Sequence, residues 1–301
     1  MPFFIYLSLG YASKAVLHIK EESFADLNKL AFYTMLSANL FLNIYDTQLS
    51  EIRFLPALEF CISAIIVIVT LFWTMYARRK LPPTDKSVLI QGIFRTNFIL
   101  FGIPLTERIL GHPSSGLAGI LTAVIIPSFN ILAVIVLAIY SGKKASVFDV
   151  LKNIAKNPLL IAAFVAIMLN TFQLKISDFS LQIIRALGSA AIPVALMALG
   201  GRFDFSKYEG GRKVLIEALI YRLILIPAVV SSVSVFFGFR GEALALILVL
   251  FASPTSVTSY TMAHQMGANE KLAAKLLVYG TTLSSVTLFV FISVYKMLGF
   301  F

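Results

Sequence analysis

The chain has 301 residues, of which 58% are hydrophobic and 13% charged, and its mean hydropathy is +0.88. Soluble domains carry about a quarter charged residues, so this composition excludes a water-soluble globular fold and requires lipid around much of the surface. The net charge of +10 lies in short connections between apolar runs, where headgroups and membrane orientation account for it and nucleic acid does not, while Cys61 as the one cysteine leaves no disulfide, thiolate metal cluster or other cofactor implied.

A spanning helix needs about 20 mostly apolar residues. Apolar runs between charge clusters predict ten such segments, at 2–17, 29–46, 55–77, 87–110, 116–141, 157–172, 180–200, 213–238, 242–265 and 272–298. The first run has no basic stretch before it and no small-residue cleavage site after it, so it reads as a span and not as a cleavable signal. It is short for a span, as a chain lacking a few upstream residues would be. The connections after spans 1, 3, 5, 7 and 9 hold seventeen of the 25 Lys and Arg, among them Lys14, Arg78, Arg79, Lys80, Lys143, Lys144, Arg202 and Lys207. The opposite side holds six, and Arg95 and Arg222 fall inside spans. The positive-inside rule then puts the basic connections in the cytoplasm and both termini outside.

Ten spans divide into two sets of five, and an odd number per set makes the second set enter the membrane from the opposite side. The expected architecture is an all-α membrane protein with two inverted five-helix repeats, 1–141 and 157–301, joined by a cytoplasmic connection at 142–156. Span 4 contains RTNFILFGIPLTE and span 9 contains FASPTSVTSYTMAHQMG, so corresponding spans are both interrupted by proline, glycine and small polar residues. Paired interruptions of this kind point to a transporter's binding site. Pro104 and Pro254 each remove a donor and clash with the preceding turn, at a cost of about 3 kcal/mol in an ordinary helix. Crossed breaks would bring half-helix N-termini together and favour an anion there, with Asn97, Ser256, Ser259 and Tyr260 as neutral partners. The competing explanation for either kink alone is packing.

Other candidates are weighed in the same way. Asn97 either binds a carboxylate or joins two helices. Arg95, an intramembrane cation, is a site candidate or snorkels to the headgroups. Arg222 ranks below it, since Glu217 lies on another face of the same helix and its partner must come from elsewhere. His264 is a candidate for proton coupling, against simple solvation. Asn157 before Pro158 is explained as a helix cap, and Asn39 and Asn130 either line a cavity or bridge helices. Glu59 and Glu107 read as wetted interface carboxylates, and no mid-span carboxylate pair is present for a built-in cation site.

The runs NFILFGIPL, IPSFN (Ile126 to Asn130), NPLLIA (Asn157 to Ala162), IPVALMALGG (Ile192 to Gly201) and ASPTSVTSYTMAHQMG with the following TTLSS, taken in order, resemble the auxin efflux carrier family in its bacterial branch, related to the plant PIN-type exporters. The resemblance implies ten spans in two inverted repeats, with spans 4 and 9 crossed in the NhaA-like and bile-acid-symporter-like manner. It also implies a scaffold of helices 1, 2, 6 and 7, a mobile transport domain of helices 3–5 and 8–10, carboxylates such as indole acetate or malonate as substrates, and a homodimer through the scaffold. The plant branch has a proline at each crossover. Thr96 and Ser259 stand at those positions here, which leaves the break points open, and the long central hydrophilic loop of plant members is absent.

The expected function is secondary-active or facilitative transport of a small organic anion across a bacterial inner (cytoplasmic) membrane by elevator-type alternating access. A sodium-coupled symporter of the bile-acid type and an anion sensor without turnover are the alternatives. An intramembrane enzyme lacks its GxSxG, HExxH or carboxylate dyad, and a channel lacks a charged ring or repeated filter.

Overall fold

Leu55–Ala77 illustrates how these residues organise: along this apolar helix Ile65, Ile68 and Phe72 are buried while Ile66, Val67 and Leu71 are exposed. A helix that is apolar on its exposed face as well as its packed face is solvated by lipid. In a computed structural model, residues 2–46, 55–98, 102–111, 116–140, 155–203 and 212–301 are described; the connection expected at 142–156 lies almost entirely outside them. Among these residues all regular elements are helices.

In chain order they are α1 (Pro2–Val16), α2 (Glu21–Leu30), α3 (Leu36–Tyr45), α4 (Leu55–Ala77), α5 (Pro83–Phe94), α6 (Ile103–Leu110), α7 (Gly116–Ile139), α8 (Pro158–Thr171), α9 (Asp178–Arg202), α10 (Arg212–Ile220), α11 (Ile226–Phe236), α12 (Gly241–Ala252), α13 (Val257–Gln265) and α14 (Glu270–Met297). Wider π turns at Ala31–Met35 and Tyr221–Leu225 join α2 to α3 and α10 to α11. Five helices are long and apolar enough to cross a membrane: Pro56–Ala77, Leu117–Ile139, Asp178–Arg202, Arg212–Phe236 and Glu270–Met297. Phe3–Val16, Pro158–Thr171 and Gly241–Ala252 are shorter apolar helices. Each of the ten predicted runs contains a helix, and boundaries move where capping dictates. The second helical stretch starts earlier than expected, at Glu21, because Glu21 and Glu22 suit the positive end of a helix. The fourth starts at Pro83, where a first-turn proline gives up no helical hydrogen bond.

Two packing groups emerge. In the first, α9 lies against α1, α2 and α3, and α3 against α8. In the second, α5 packs on α4, α7 and α14, α12 on α6 and α11, and α13 on α14. Gly10 and Gly200 let α1 and α9 touch backbone to backbone: a Cβ on Gly200 would lie 2.0 Å from the Leu7 carbonyl oxygen, and one on Gly10 2.1 Å from that of Met197. Small residues at such crossings are how membrane helices pack closely. Gly200→Ala is therefore expected to lower the melting temperature of the detergent-solubilised protein, since forced overpacking costs about 1–3 kcal/mol; an unchanged melting curve would mean that α1 shifts aside freely.

Polar side chains hold the same group together. Asn170 Nδ2 donates to the carbonyls of Ile44 and Tyr45 at 3.1 and 3.0 Å, satisfying the open end of α3. Asn39 Nδ2 donates to the Gly188 carbonyl at 3.1 Å. In the second group every residue of α5 from Ser87 to Phe94 and of α12 from Leu244 to Ala252 is buried. Among the described residues these two short helices are the most enclosed elements, and both stop inside the molecule.

Candidate functional site

α12 stops at Ala252 because Pro254 excludes the residue before it from helical conformation: Ser253 is extended, with φ −62° and ψ 146°. α5 stops at Phe94, and Arg95 is likewise extended at φ −85° and ψ 125°. The two extended stretches bond to each other. Thr96 and Thr255 form an antiparallel β-bridge, and the Asn97 amide donates to the Pro254 carbonyl at 2.8 Å. Thr255 Oγ1 donates to the Gly92 carbonyl at 2.8 Å and Gln91 Nε2 to the Ser259 carbonyl at 3.2 Å. Unwound backbone inside a membrane protein survives where other protein groups satisfy it, and here each break supplies partners to the other.

Two guanidinium groups accompany the crossing. Arg95 is 3% exposed and donates to Asn130 Oδ1 on α7 and to Met262 Sδ on α13. Arg222, emerging from the π turn before α11, is 1% exposed and donates to the carbonyls of Phe251, at 3.0 Å, and Ser253. Those carbonyls end α12, the negative pole of that half-helix, so Arg222 offsets it. Among the described residues no carboxylate lies within ion-pair distance of either arginine. Glu217 pairs instead with Arg79, through both oxygens at 2.6 Å.

The positive pole of α13 opens at the same place. Ser256 precedes its first turn without capping it, and its hydroxyl lies 2.7 Å from Thr258 Oγ1. Residues at the crossing carry buried polar atoms without a partner: Asn97 Nδ2, Thr96 Oγ1, Ser259 Oγ and Gln91 Oε1. Each such atom costs about 1–3 kcal/mol when nothing binds it, and in a native structure it calls for water, an ion or a ligand. The crossing thus combines buried positive charge, open donors and the N-terminal end of a helix.

A family model for membrane transport proteins matches residues 1–148 and 144–292. The chain belongs to this family, that of the auxin efflux carriers. It is 25% identical over 291 residues to an uncharacterized transporter of Methanocaldococcus jannaschii, covering 93% of this chain and 92% of the relative. Over 292 residues it is 23% identical to an uncharacterized transporter of Methanothermobacter thermautotrophicus, covering 94% and 93%. It is an integral membrane protein of a transporter family.

Within this chain the candidates named from sequence separate. Arg95, Thr96, Asn97, Pro254, Ser256 and Ser259 come together at or beside the bridge, and Asn130 reaches it through Arg95. Arg95 does not snorkel, because α5, α7 and α13 enclose it. Pro104 does not make the break in span 4. It is the second residue of α6, a position that tolerates proline at little cost, and the helix has already stopped at Phe94; residues 99–101 between them lie outside the described residues. Ser259, given a crossover position by the resemblance, does not stand at the break in span 9. It sits within the first turn of α13, and Thr255 occupies the bridging position. Asn39 bridges α3 and α9, and Asn157 caps α8 by accepting from the Leu159 amide at 3.0 Å; these are the structural roles weighed for them. His264 is not simply solvated, since its Nδ1 meets Glu270 Oε2.

Gln91, Thr255 and Met262 escaped the sequence reading. Gln91 sits one helical turn before Arg95 as an amide among apolar neighbours, a signal that could have found it. Thr255 follows the breaking proline directly. Met262 carries no polar signal at all.

Proposed function

We propose that the crossing of α5 and α13 is the binding site of a carrier for a small organic anion, a carboxylate of the indole acetate or malonate kind. The supporting observation is charge without a counter-charge: two buried guanidinium groups and a cluster of unpartnered polar atoms surround the bridge, with no acidic partner among the described residues. A buried cation is costly unless paired, and an anionic substrate provides the pairing. In this reading Asn97 and Ser259 hold the anion at the N-terminal end of α13, Arg95 supplies charge, and Arg222 keeps the neighbouring negative pole from repelling it.

The carrier has ten spans in two inverted repeats, 1–141 and 157–301, with both termini outside and the basic connections in the cytoplasm. Helices 1, 2, 6 and 7 are the scaffold and dimer surface, and helices 3–5 and 8–10 move as the transport domain. The separation of packing groups described above supports this division. Alternating access of the elevator kind follows, because a site enclosed by one group is exposed to the two sides in turn by sliding against the other.

The experiment is uptake by proteoliposomes over a panel of labelled mono- and dicarboxylates, with imposed pH, sodium and voltage gradients. Saturable uptake of at least one carboxylate is expected. Absence of uptake across the panel, with specific binding retained, favours a sensor, and strict sodium dependence favours a symporter of the bile-acid type.

A further inference from the structure

A polar cavity of about 410 Å³ lies where the two packing groups meet. Lys14 of α1, Glu21 of α2 and Arg202 of α9 bound it on one side, Tyr260 of α13 with Glu270, Lys271 and Lys275 of α14 on the other. Its cations outnumber its carboxylates. Lys14 pairs with Glu21 at 3.1 Å and Arg202 with Glu270 at 2.5 Å, so each carboxylate is committed to a cation of the first group, and Lys271 and Lys275 also line the cavity. Glu270 divides its oxygens: Oε1 accepts from Arg202, and Oε2 meets His264. Two atoms of these lining residues are buried without a partner, Arg202 Nε and the hydroxyl of Tyr260; Tyr260 itself is 1% exposed, so neither atom faces the cavity until a neighbouring side chain gives way.

An arginine that uses one nitrogen on a side-chain carboxylate and keeps Nε buried and idle is half-used as a fork, since guanidinium binds planar oxyanions through two parallel N–H groups. The geometry points to a second anion site in this cavity, in which the Glu270 carboxylate is the resident stand-in. When the Glu270 carboxylate withdraws to His264, the Nε edge of Arg202 and the Tyr260 hydroxyl open to a small carboxylate or phosphate, and Lys271 adds positive charge beside it. The site is independent of the anion site at the α5–α13 crossing, sharing with its surroundings Tyr260 alone.

The test is calorimetric titration of the purified, detergent-solubilised protein with malonate and, separately, with inorganic phosphate. Removing the internal competitor in Glu270→Gln is expected to tighten binding of at least one probe several-fold. Arg202→Gln should weaken it by about tenfold, the equivalent of one charge-assisted hydrogen bond, and Arg202→Lys should restore it in part. Tyr260→Phe, which removes one hydroxyl without changing shape, should weaken it less. Asn97→Ala, at the crossing, should leave this binding in place, so failure of either site is seen separately. Glu270→Gln that binds no tighter, or Arg202→Gln that binds as well as the parent, overturns the assignment. So does loss of all binding in Asn97→Ala with none in the cavity variants.

Discussion

Asn97→Ala is expected to give a folded protein that carries its substrate about tenfold to a hundredfold more slowly, the range set by losing one hydrogen bond to a charged group at about 1.5–3 kcal/mol. The asparagine amide keeps its main-chain bond to Pro254 at 2.8 Å whatever its side chain, so the bridge does not depend on the carboxamide. Its Nδ2 is buried without a partner, so truncation leaves no protein acceptor unpaired. Stability should therefore be unchanged or slightly improved while transport falls, and that opposite movement is the signature of a binding role. Initial uptake rates in proteoliposomes and melting in detergent measure the two. A variant that transports normally removes Asn97 from the site; one that merely melts early shows it to be a structural tie.

Arg222→Met should do the reverse, acting first on stability. The side chain donates to the carbonyls of Phe251 and Ser253, which are buried and sit where α12 has no further turn to satisfy them. Leaving a buried carbonyl unpaired costs about 1–3 kcal/mol, so two lost bonds amount to about 2–6 kcal/mol, less whatever is regained by no longer burying a charge. A large drop in melting temperature and in yield of monodisperse protein is expected. Arg222→Lys should recover only part, since an ammonium offers a point charge where the guanidinium spans two acceptors. Melting at the parent temperature in Arg222→Met would mean that α12 ends satisfactorily without it.

The elements were legible from sequence where one physical rule dominated. Leu55–Ala77 and Glu270–Met297 are long apolar runs between charges, and lipid dictates their conformation. Asn157 before Pro158 announced a cap and is one. The interruption at Pro254 was legible because proline acts locally. The one in span 4 was legible as a run of polar residues and, through the family resemblance, at Thr96, but no local rule fixed its place, since Arg95, Thr96 and Asn97 have no local reason to leave the helix; their partners are Pro254 and Thr255, far along the chain. The proline that drew attention instead, Pro104, stands where a helix tolerates it. Arg222 was ranked low for a similar reason: its acceptors are main-chain carbonyls of another helix, which have no signature in residue types.

The Thr96–Thr255 bridge has a mechanical consequence. A two-strand contact inside a hydrophobic body has no water to replace its bonds, so sliding one strand along the other would break the Asn97 amide's bond to Pro254 and the Thr255 hydroxyl's bond to Gly92 together. The knot of α5 and α13 is stiff for that reason. Under the alternating access proposed above, this knot stays tied and the slip plane runs elsewhere, along the seam where α13 rests on α9.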